Sequence, residues 1–416
     1  MSQTCPVAVT APPAPRRLSH PAAFAAVAAI IVLFLAASSA PSPLYVVYQQ
    51  QWHFSATTLT AVFAVYVLGM LGALLTLGGL SDHLGRRPVL AAAIALEAVA
   101  MVLFLVAGNV PVLYLARFLQ GIATGTAMTT LGATLVDLTP PHAPARAGLV
   151  NGVSPTIGLA LGALGCGVLV QYAPAPTHLV YAVLLAGIVV AGLIVAAIPE
   201  TSGRRPGARA SLIPRLAVPG HARPSFYALV PIIVASWALG GLYLSLGPSV
   251  AVGIFGLSNH LVGGLVVTAL CGTGALTTFA LRRLPAPTAL RVGATLLATG
   301  TAVTLAGIAS GAVVLAILGT VLAGVGFGSS ALAMFGVLAQ LAGPAERGAL
   351  FAVGYTVAYL AFSIPAVIAG LATTAAGLRP TAVAYSLTVI VFAVAALTLH
   401  GIRTRATVSA SSPRSR

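Results

Sequence analysis

The side chains best suited to chemistry in this chain are a few ionisable residues set within long apolar stretches. Glu97 lies nine residues after Pro88, which places it about 14 Å along a helix that begins there. If that helix crosses a membrane, the acid costs roughly 2.5–3.5 kcal/mol and must be protonated, paired or exposed to a wet cavity. Glu97 therefore predicts a proton or substrate site. The alternative is a neutral glutamic acid hydrogen-bonded between helices.

A second apolar stretch, LYLARFLQGIATG at 113–125, contains Arg117 and Gln120. Arginine does not lose its proton, so Arg117 would either change the proton affinity of a nearby acid or hold an anion. Glu97 is the only acid within plausible reach, although their depths leave several ångströms between them. A purely structural anchor is the alternative.

A third charged motif, GGLSDHLGRRPVL at 78–90, stands between two apolar runs. Asp82 can face the positive N-terminus of a helix. Arg86 and Arg87 can reach a second acid, and Asp137 is the only nearby candidate. A plain positive anchor is the alternative, but it would not need Asp82, one of only five acidic residues in the chain.

The composition shows what kind of molecule carries these residues. Of the 416 residues, 59% are hydrophobic and 6% charged, whereas soluble domains carry about 25% charged residues. The sequence therefore predicts a polytopic protein whose main partner is the lipid bilayer. The basic residues lie in short clusters between apolar runs and include no lysine. This pattern argues against nucleic-acid binding, and arginine without lysine, with abundant Ala and Gly, favours a bacterial inner-membrane protein.

A membrane helix needs about 20 apolar residues, and the sequence offers twelve such runs. They are 22–45, 57–79, 88–107, 111–136, 148–170, 178–198, 226–247, 260–281, 289–309, 312–337, 347–371 and 381–400. Pro41 follows the small residues that could resemble a signal-peptidase site, so we expect the first run to be an uncleaved anchor.

The arginines predict the orientation of these spans. All but Arg117, inside a span, and Arg379 fall in tails or loops on one side of the predicted topology. By the positive-inside rule, both termini are expected to be cytoplasmic.

The chain divides nearly in half at its longest polar stretch. We expect an N-terminal tail (1–21), a six-helix bundle (22–198), a flexible basic cytoplasmic linker (199–225), a second six-helix bundle (226–400) and a C-terminal tail (401–416). Residues 121–137 and 324–340 share glycines at an offset of 203 residues. Such similarity at half-length is typical of parallel repeats in secondary transporters.

The spacing of the 78–90 motif resembles the signature loop of the major facilitator superfamily. The matching positions are Gly78, Leu80, Asp82, Gly85, Arg86, Arg87 and Leu90; His83 stands where that family usually has a basic residue. The resemblance implies twelve helices in two bundles. It also implies a conformational latch in which Asp82 faces the eleventh helix, starting near 346–348, and Arg86 meets Asp137. The R-x-x-Q-G-x-x-x-G pattern from Arg117 resembles the family's fourth-helix motif, which is associated with proton coupling.

The fifth span only partly matches the family's antiporter motif. Ser154 and Pro155 replace its Gly-Pro pair, whereas Gly158 persists. A glycine-rich packing face with a proline kink explains these residues almost as well. Polar and aromatic residues on spans that line the cavity in this family are substrate-site candidates, with core packing as the alternative: Ser38, Ser39, Thr124, Trp237, Tyr243 and Ser329.

These features favour a secondary active transporter that works as a monomer by alternating access, exporting a small molecule against protons. The alternative is proton-coupled uptake of an organic acid or sugar, with Arg117 meeting the anion. A non-transporting receptor or an intramembrane enzyme is disfavoured, because the longest loop is about 26 residues and no H-E-x-x-H or G-x-S-x-G motif is present. A P-loop requires lysine, and the cysteines show no metal spacing, so no cofactor or metal is expected.

Overall fold

The molecule consists of long helices joined by short turns. The structure, a computed structural model, describes residues 17–140, 142–143, 145–341, 343 and 346–411, and beyond residue 402 it describes the backbone alone. Its helices are α1 (His20–Ser39), α2 (Pro41–Trp52), α3 (Ala56–Leu77), α4 (Leu80–Leu84), α5 (Arg86–Leu105), α6 (Val110–Asp137), α7 (Ala145–Tyr172), α8 (Pro176–Ala197), α9 (Ala208–Ser211), α10 (Arg223–Ser245), α11 (Gly247–Gly253), α12 (His260–Ala280), α13 (Ala286–Ser310), α14 (Val313–Leu341), α15 (Arg347–Ala376) and α16 (Leu378–Ser411).

Twelve spans can be followed through these helices, with α1 and α2 forming the first. Eleven of the described spans are long and apolar enough to cross a membrane by their own composition. The remaining one, α6, has 28 residues but includes Arg117, Gln120 and several threonines. No strand occurs among the described residues. The predicted twelve-helix membrane fold is confirmed.

The first span is longer than the sequence predicts. It was expected to end at residue 45, yet the helix bends at Ala40 and continues as α2 to Trp52. Pro41 is tolerated because proline at the first turn of a helix lacks only an N–H that has no intrahelical acceptor. The left-handed residue His53, with a φ of 51°, ends α2.

The two halves of the chain pack their central helices in the same way. A Cβ atom at Gly121 would overlap the carbonyl oxygen of Tyr66 on α3, and one at Gly125 would overlap that of Met70. The matching pair in the second half lies equally close to α12, since a Cβ at Gly328 would overlap the carbonyl oxygen of Gly274. The repeat inferred from sequence therefore corresponds to equivalent α3–α6 and α12–α14 packing.

The first bundle, α1–α8, meets the second, α10–α16, along two helix pairs. One pair is α7 with α12, where a Cβ at Gly264 would overlap the carbonyl oxygen of Ala163. The other is α3 with α15, where the Phe63 and Phe362 rings lie 5.1 Å apart. At the end of this second pair, the hydroxyls of Thr57 and Thr374 are 2.9 Å apart. These contacts place the boundary between the bundles at the centre of the molecule.

Candidate functional site

A buried guanidinium forms the centre of the first bundle. Arg117 on α6 is 1% exposed, and its Nε donates to the Tyr45 hydroxyl at 2.7 Å. Its Nη1 donates to the Ser38 carbonyl at 3.0 Å, where the bend between α1 and α2 begins. The guanidinium carbon also lies 5.1 Å from the centre of the Tyr66 ring. These contacts hold the charge between aromatic faces and fixed acceptors, as a desolvated arginine requires.

Gln120, one helical turn after Arg117, connects that arginine to Glu97. Arg117 Nη1 donates to Gln120 Oε1 at 2.6 Å, and Gln120 Nε2 donates to Glu97 Oε1 at 3.2 Å. Gln120 Nε2 also donates to the Ala37 carbonyl at 3.1 Å. The sequence predicted several ångströms between the charged groups of Glu97 and Arg117. The side-chain amide of Gln120 lies between them and bonds to both.

The Glu97 carboxyl group is only half satisfied. The residue is fully buried on α5, and no partner within hydrogen-bond distance is found for its Oε2 among the described residues. A buried carboxylate oxygen without a donor is costly, whereas a protonated carboxyl group has less charge to desolvate. Glu97 thus has one oxygen linked through Gln120 to a fixed positive charge and one oxygen without a donor. That asymmetry suits a group that gains and loses a proton.

The loop between α3 and α5 has a different arrangement of charges. Arg86 donates from Nε to Asp137 Oδ2 at 3.1 Å, and its Nη1 lies 2.6 Å from Asp82 Oδ1. The carboxylates of Asp82 and Asp137 therefore share one arginine. Gly78 lies against Thr129 of α6. Among the contacts of the described residues, Asp82 does not reach the start of α15, so the latch to the eleventh helix stays a prediction.

Glu200 is the functional residue that the sequence analysis missed, and the expectation that Asp137 is the only acid near these arginines is wrong. Glu200 Oε1 accepts from the Arg86 backbone N–H at 2.8 Å, and Oε2 accepts from that of Arg87 at 3.1 Å. Gly85 makes room for this carboxylate, because its φ is 105° and a Cβ there would lie 2.8 Å from Glu200 Oε2. No sequence pattern marks this partner, because Glu200 comes from the linker and not from α5. Its carboxylate satisfies two N–H groups at the first turn of α5 that have no intrahelical acceptor.

The linker continues along the same loop. The backbone N–H of Arg205 donates to the Asp82 carbonyl at 3.0 Å, and the Thr201 hydroxyl donates to Asp137 Oδ2 at 2.8 Å. His83 Nδ1 donates to the Arg205 carbonyl at 2.8 Å. His83, which replaces the family's usual basic residue, therefore binds the linker. We call residues 200–205, together with the loop between α3 and α5 to which they bind (residues 78–85), the linker clamp. The first part of the predicted flexible linker is therefore bound to the first bundle.

The Glu200 carboxyl group titrates below its ordinary range. Burial raises its pKa, but backbone N–H donors from Ser202, Arg86, Arg87 and Thr201 outweigh burial, so the pKa is lowered overall. These donors stabilise the ionised form. The linker clamp is thus formed most fully when Glu200 is charged.

The fifth-span residues pack against α1. Pro155 lies inside α7 beside the buried Ser154. A Cβ at Gly158 would lie 2.5 Å from the Val32 carbonyl oxygen, so α7 and α1 approach closely there. These contacts show that Ser154, Pro155 and Gly158 lie where α7 packs. Their role in antiport stays a prediction.

The six substrate-site candidates do not meet at one place. Ser38 accepts from the Tyr66 hydroxyl at 2.9 Å beside Arg117, while Ser39 lies near Gly162 and Thr124 is buried in α6. Trp237 packs edge-on against Tyr359 at 5.0 Å near the bundle boundary.

The other two candidates lie within the second bundle. Tyr243 shares a hydrogen bond of 2.7 Å with Thr320, and Ser329 is fully buried. No group of three or more potential metal ligands is found among the described residues.

The fold and these charged groups define a helical membrane protein of two homologous bundles, and comparison with known proteins agrees. A crystal structure of a bacterial homologue of the human lysosomal transporter Spinster, inward-facing and unoccupied, superposes with a TM-score of 0.72 at 14% identity, covering 92% of this chain and 97% of that one. The human organic anion transporter MFSD10 gives a TM-score of 0.64 at 18% identity, covering 91% and 100%. At these identities the likeness shows the fold.

The sequence comparisons place the chain in a family. The family model described as Major Facilitator Superfamily matches residues 27–364. Relatives include the multidrug resistance protein MdtL of Klebsiella pneumoniae subsp. pneumoniae, 30% identical over 169 residues, 40% of this chain and 41% of that protein. MdtL of Shewanella sp. (strain ANA-3) is 26% identical over 202 residues, 48% and 50%. The chain thus matches about half the length of these curated relatives.

The chain belongs to the Major Facilitator Superfamily. It is accordingly a multi-pass protein of the bacterial inner membrane, with the fold of the superfamily.

Proposed function

We propose that this chain exports a small molecule in exchange for protons, by alternating access of a central cavity between its two bundles. The arrangement that carries the proposal is the Glu97–Gln120–Arg117 chain of hydrogen bonds. An acid with one unpartnered oxygen, buried within a membrane bundle, favours a proton-carrying group over a permanent ion pair. The MdtL relatives are multidrug resistance proteins, which favours efflux of drug-like compounds.

The Glu97–Gln120–Arg117 chain of hydrogen bonds also couples the proton to the position of α1. Arg117 and Gln120 both donate to carbonyl groups of residues 37–38, where the first span bends. When Glu97 gives up its proton, Gln120 and Arg117 are drawn toward the new negative charge, and the bonds to these carbonyls weaken. A change of protonation at α5 thereby acts on the α1–α2 bend, in the wall of the proposed cavity.

Proton-coupled uptake of an organic anion is less well supported. A substrate-binding arginine needs free donors that face a cavity, whereas Arg117 is 1% exposed and its Nε and Nη1 groups already donate to Tyr45, Ser38 and Gln120. An anion would have to displace these acceptors. We further propose that the termini and the linker clamp lie on the cytoplasmic side, from the distribution of arginines.

Transport by purified protein in liposomes tests the proposal. A panel of drugs and metabolites is screened with an imposed pH gradient, and the first substrate found is used with Glu97→Gln. We expect this variant to lose accumulation driven by the gradient but to keep counterflow, which exchanges labelled for unlabelled substrate without net proton movement.

Glu346→Gln is the matched control, because it makes the same replacement at a half-exposed acid outside the bundle core. The control should respond fully to the gradient. If Glu97→Gln also responds fully, Glu97 does not carry the proton. If counterflow is lost as well, the acid serves substrate binding or folding instead.

A further inference from the structure

The second bundle contains a cavity whose wall is formed by its own helices. Its volume is about 470 Å³, within the range of small-molecule sites. Helices α10, α11, α12, α13, α14 and α16 all contribute to its wall. All of the lining residues belong to one bundle, and one of them, Thr268, donates to the Ala160 carbonyl of α7 at 3.0 Å across the boundary.

The repeat explains why this space is open. In the first half, large side chains from α2, α5, α6 and α8 fill the corresponding region: Tyr45, Tyr48, Phe104, Arg117 and Tyr181, each at most 1% exposed. In the second half, the matching helices α11, α13, α14 and α16 contribute Ala251, Ile308, Thr320 and Ala382 to the cavity wall. Thr320 stands at the offset of 203 residues from Arg117. The second half therefore lacks the large side chains and the charge that fill the corresponding region of the first half.

The wall carries hydroxyl groups but no charge. No charged residue is among those that line the cavity. The Thr320 hydroxyl donates to the Ala316 carbonyl at 2.8 Å, so the Tyr243 hydroxyl is the donor in their 2.7 Å bond. Both hydrogens are therefore used within the protein.

Two other wall hydroxyls lack a partner. Thr301 lines the cavity and is 2% exposed, and its Oγ1, like that of Thr304 on the same helix, has no partner among the described residues. Thr299, on the same helix, instead donates to the carbonyl of Thr295 at 2.9 Å, as threonine in helices commonly does. A buried hydroxyl that makes no such bond is an unsatisfied donor in the cavity wall, and a ligand acceptor in contact with it would complete it.

The cavity reaches the outer surface of the helix bundle. Leu265 of α12 and Ile317 of α14 both line it, and they are 45% and 54% exposed. Because both exposed side chains are apolar, the opening suits a molecule that enters from the bilayer. A charged molecule would find no counter-charge inside.

We propose that this cavity is a second ligand site, which takes an uncharged, mainly apolar molecule of drug size from the bilayer and bonds one acceptor atom to Thr301. The site is independent of the proton-coupled route, so failure of one proposal leaves the other standing. Prodan, an uncharged naphthalene ketone, has the required size and a carbonyl acceptor. Its binding to the full chain in detergent micelles is followed by saturable fluorescence, after subtraction of protein-free micelles.

Two kinds of variant test the site. Ala316→Leu and Ala269→Leu each add three carbon atoms to the wall, and we expect prodan affinity to fall at least about 10-fold because the space is filled. Ala306→Leu, on the exposed face of α13, is the size control and should leave affinity unchanged. Thr301→Val should weaken binding about 3- to 10-fold through loss of one hydrogen bond, and Thr299→Val should have no effect.

Gel-filtration profiles and helical circular dichroism identify variants that fail to fold. If Ala316→Leu misfolds, Ala269→Leu decides, and if both misfold, the nearly isosteric Thr301→Val decides. Unchanged affinity in a folded wall-filling variant would overturn the proposal. So would equal affinity of Thr301→Val and Thr299→Val, because the acceptor bond to Thr301 is part of what is proposed.

Discussion

At the residue scale, Gln120 has two roles that a charged residue could not combine. Its amide oxygen accepts from Arg117 and its amide nitrogen donates to Glu97, so it bonds to a cation and an acid at once. A direct Glu–Arg pair would hold the carboxylate ionised. An intervening amide keeps the arginine close enough to act on the acid while leaving the acid free to take a proton.

Gln120→Leu removes this bridge. The substitution leaves Arg117 Nη1 with one acceptor fewer and Glu97 Oε1 without a donor, and each buried unsatisfied group costs about 1–3 kcal/mol. We expect the melting temperature in detergent to fall well below that of Gln50→Leu, a control on the exposed face of α2. Equal melting temperatures for the two variants would show that the bridge contributes nothing to stability.

Glu200 predicts a pH effect confined to the linker clamp. Its pKa is lowered in the folded protein because backbone N–H donation outweighs burial. The ionised group therefore contributes stability above its unfolded pKa, about 4.3, and this contribution is lost as the pH falls through the lower folded value. The amides of Arg86 and Arg87, which donate to Glu200, should lose protection from hydrogen exchange below about pH 4.3, once intrinsic rates are subtracted.

Glu200→Gln supplies the control for that measurement. The variant should show weak protection of these two amides at every pH, since a neutral side chain holds them less strongly. Protection that falls with pH equally in both proteins would show that Glu200 is not the group responsible.

At the element scale, close approach of α6 to α3 depends on glycine. A side chain at Gly121 would overlap the Tyr66 carbonyl, so Gly121→Ala should destabilise the first bundle by about 1–3 kcal/mol through overpacking. Gly148→Ala is the matched control, because that α7 position has no atom within 4 Å of the added methyl group. The control should stabilise by about 0.5–1 kcal/mol through helix propensity. Thermal unfolding of both variants checks the opposite signs.

How far the sequence predicts these elements depends on the kind of interaction. Apolar length and arginine placement identify the spans, because the bilayer imposes both. The structure places Asp137 beside Arg86, at the same end of neighbouring helices, and the role of this pair as a latch stays a prediction. Glu200 was missed because its binding depends on how a loop folds back, and loop conformation has no periodic pattern. The cavity in the second bundle was also missed, because it depends on which small residues face one another.

At the scale of the whole molecule, alternating access requires the bundles to separate at one end while they stay together at the other. In the proposed cycle, the Thr57–Thr374 contact lies at an end that must open, and its two hydroxyl oxygens, on α3 and α15, are 2.9 Å apart. We predict that Thr57→Cys with Thr374→Cys, in a background with the native cysteines replaced by alanine, forms a disulfide on oxidation and stops transport.

Reduction should restore transport in the double variant, and each single cysteine variant should be unaffected by oxidant. Cross-linking is followed by the shift in gel mobility after cleavage of the linker between the bundles. Full transport by the cross-linked protein would show that this junction stays closed throughout the cycle.

The linker clamp also determines how much chain is left to join the two halves. Residues 200–205 are tied to the first bundle, and Ser211 lies against Gly79. The second bundle begins with the short helical turn at Gly220. The nine steps between Ser211 and Gly220 can extend to roughly 30 Å at most. The length of the free linker therefore limits how far the two bundles can separate at this end. Release of the linker clamp would increase that distance.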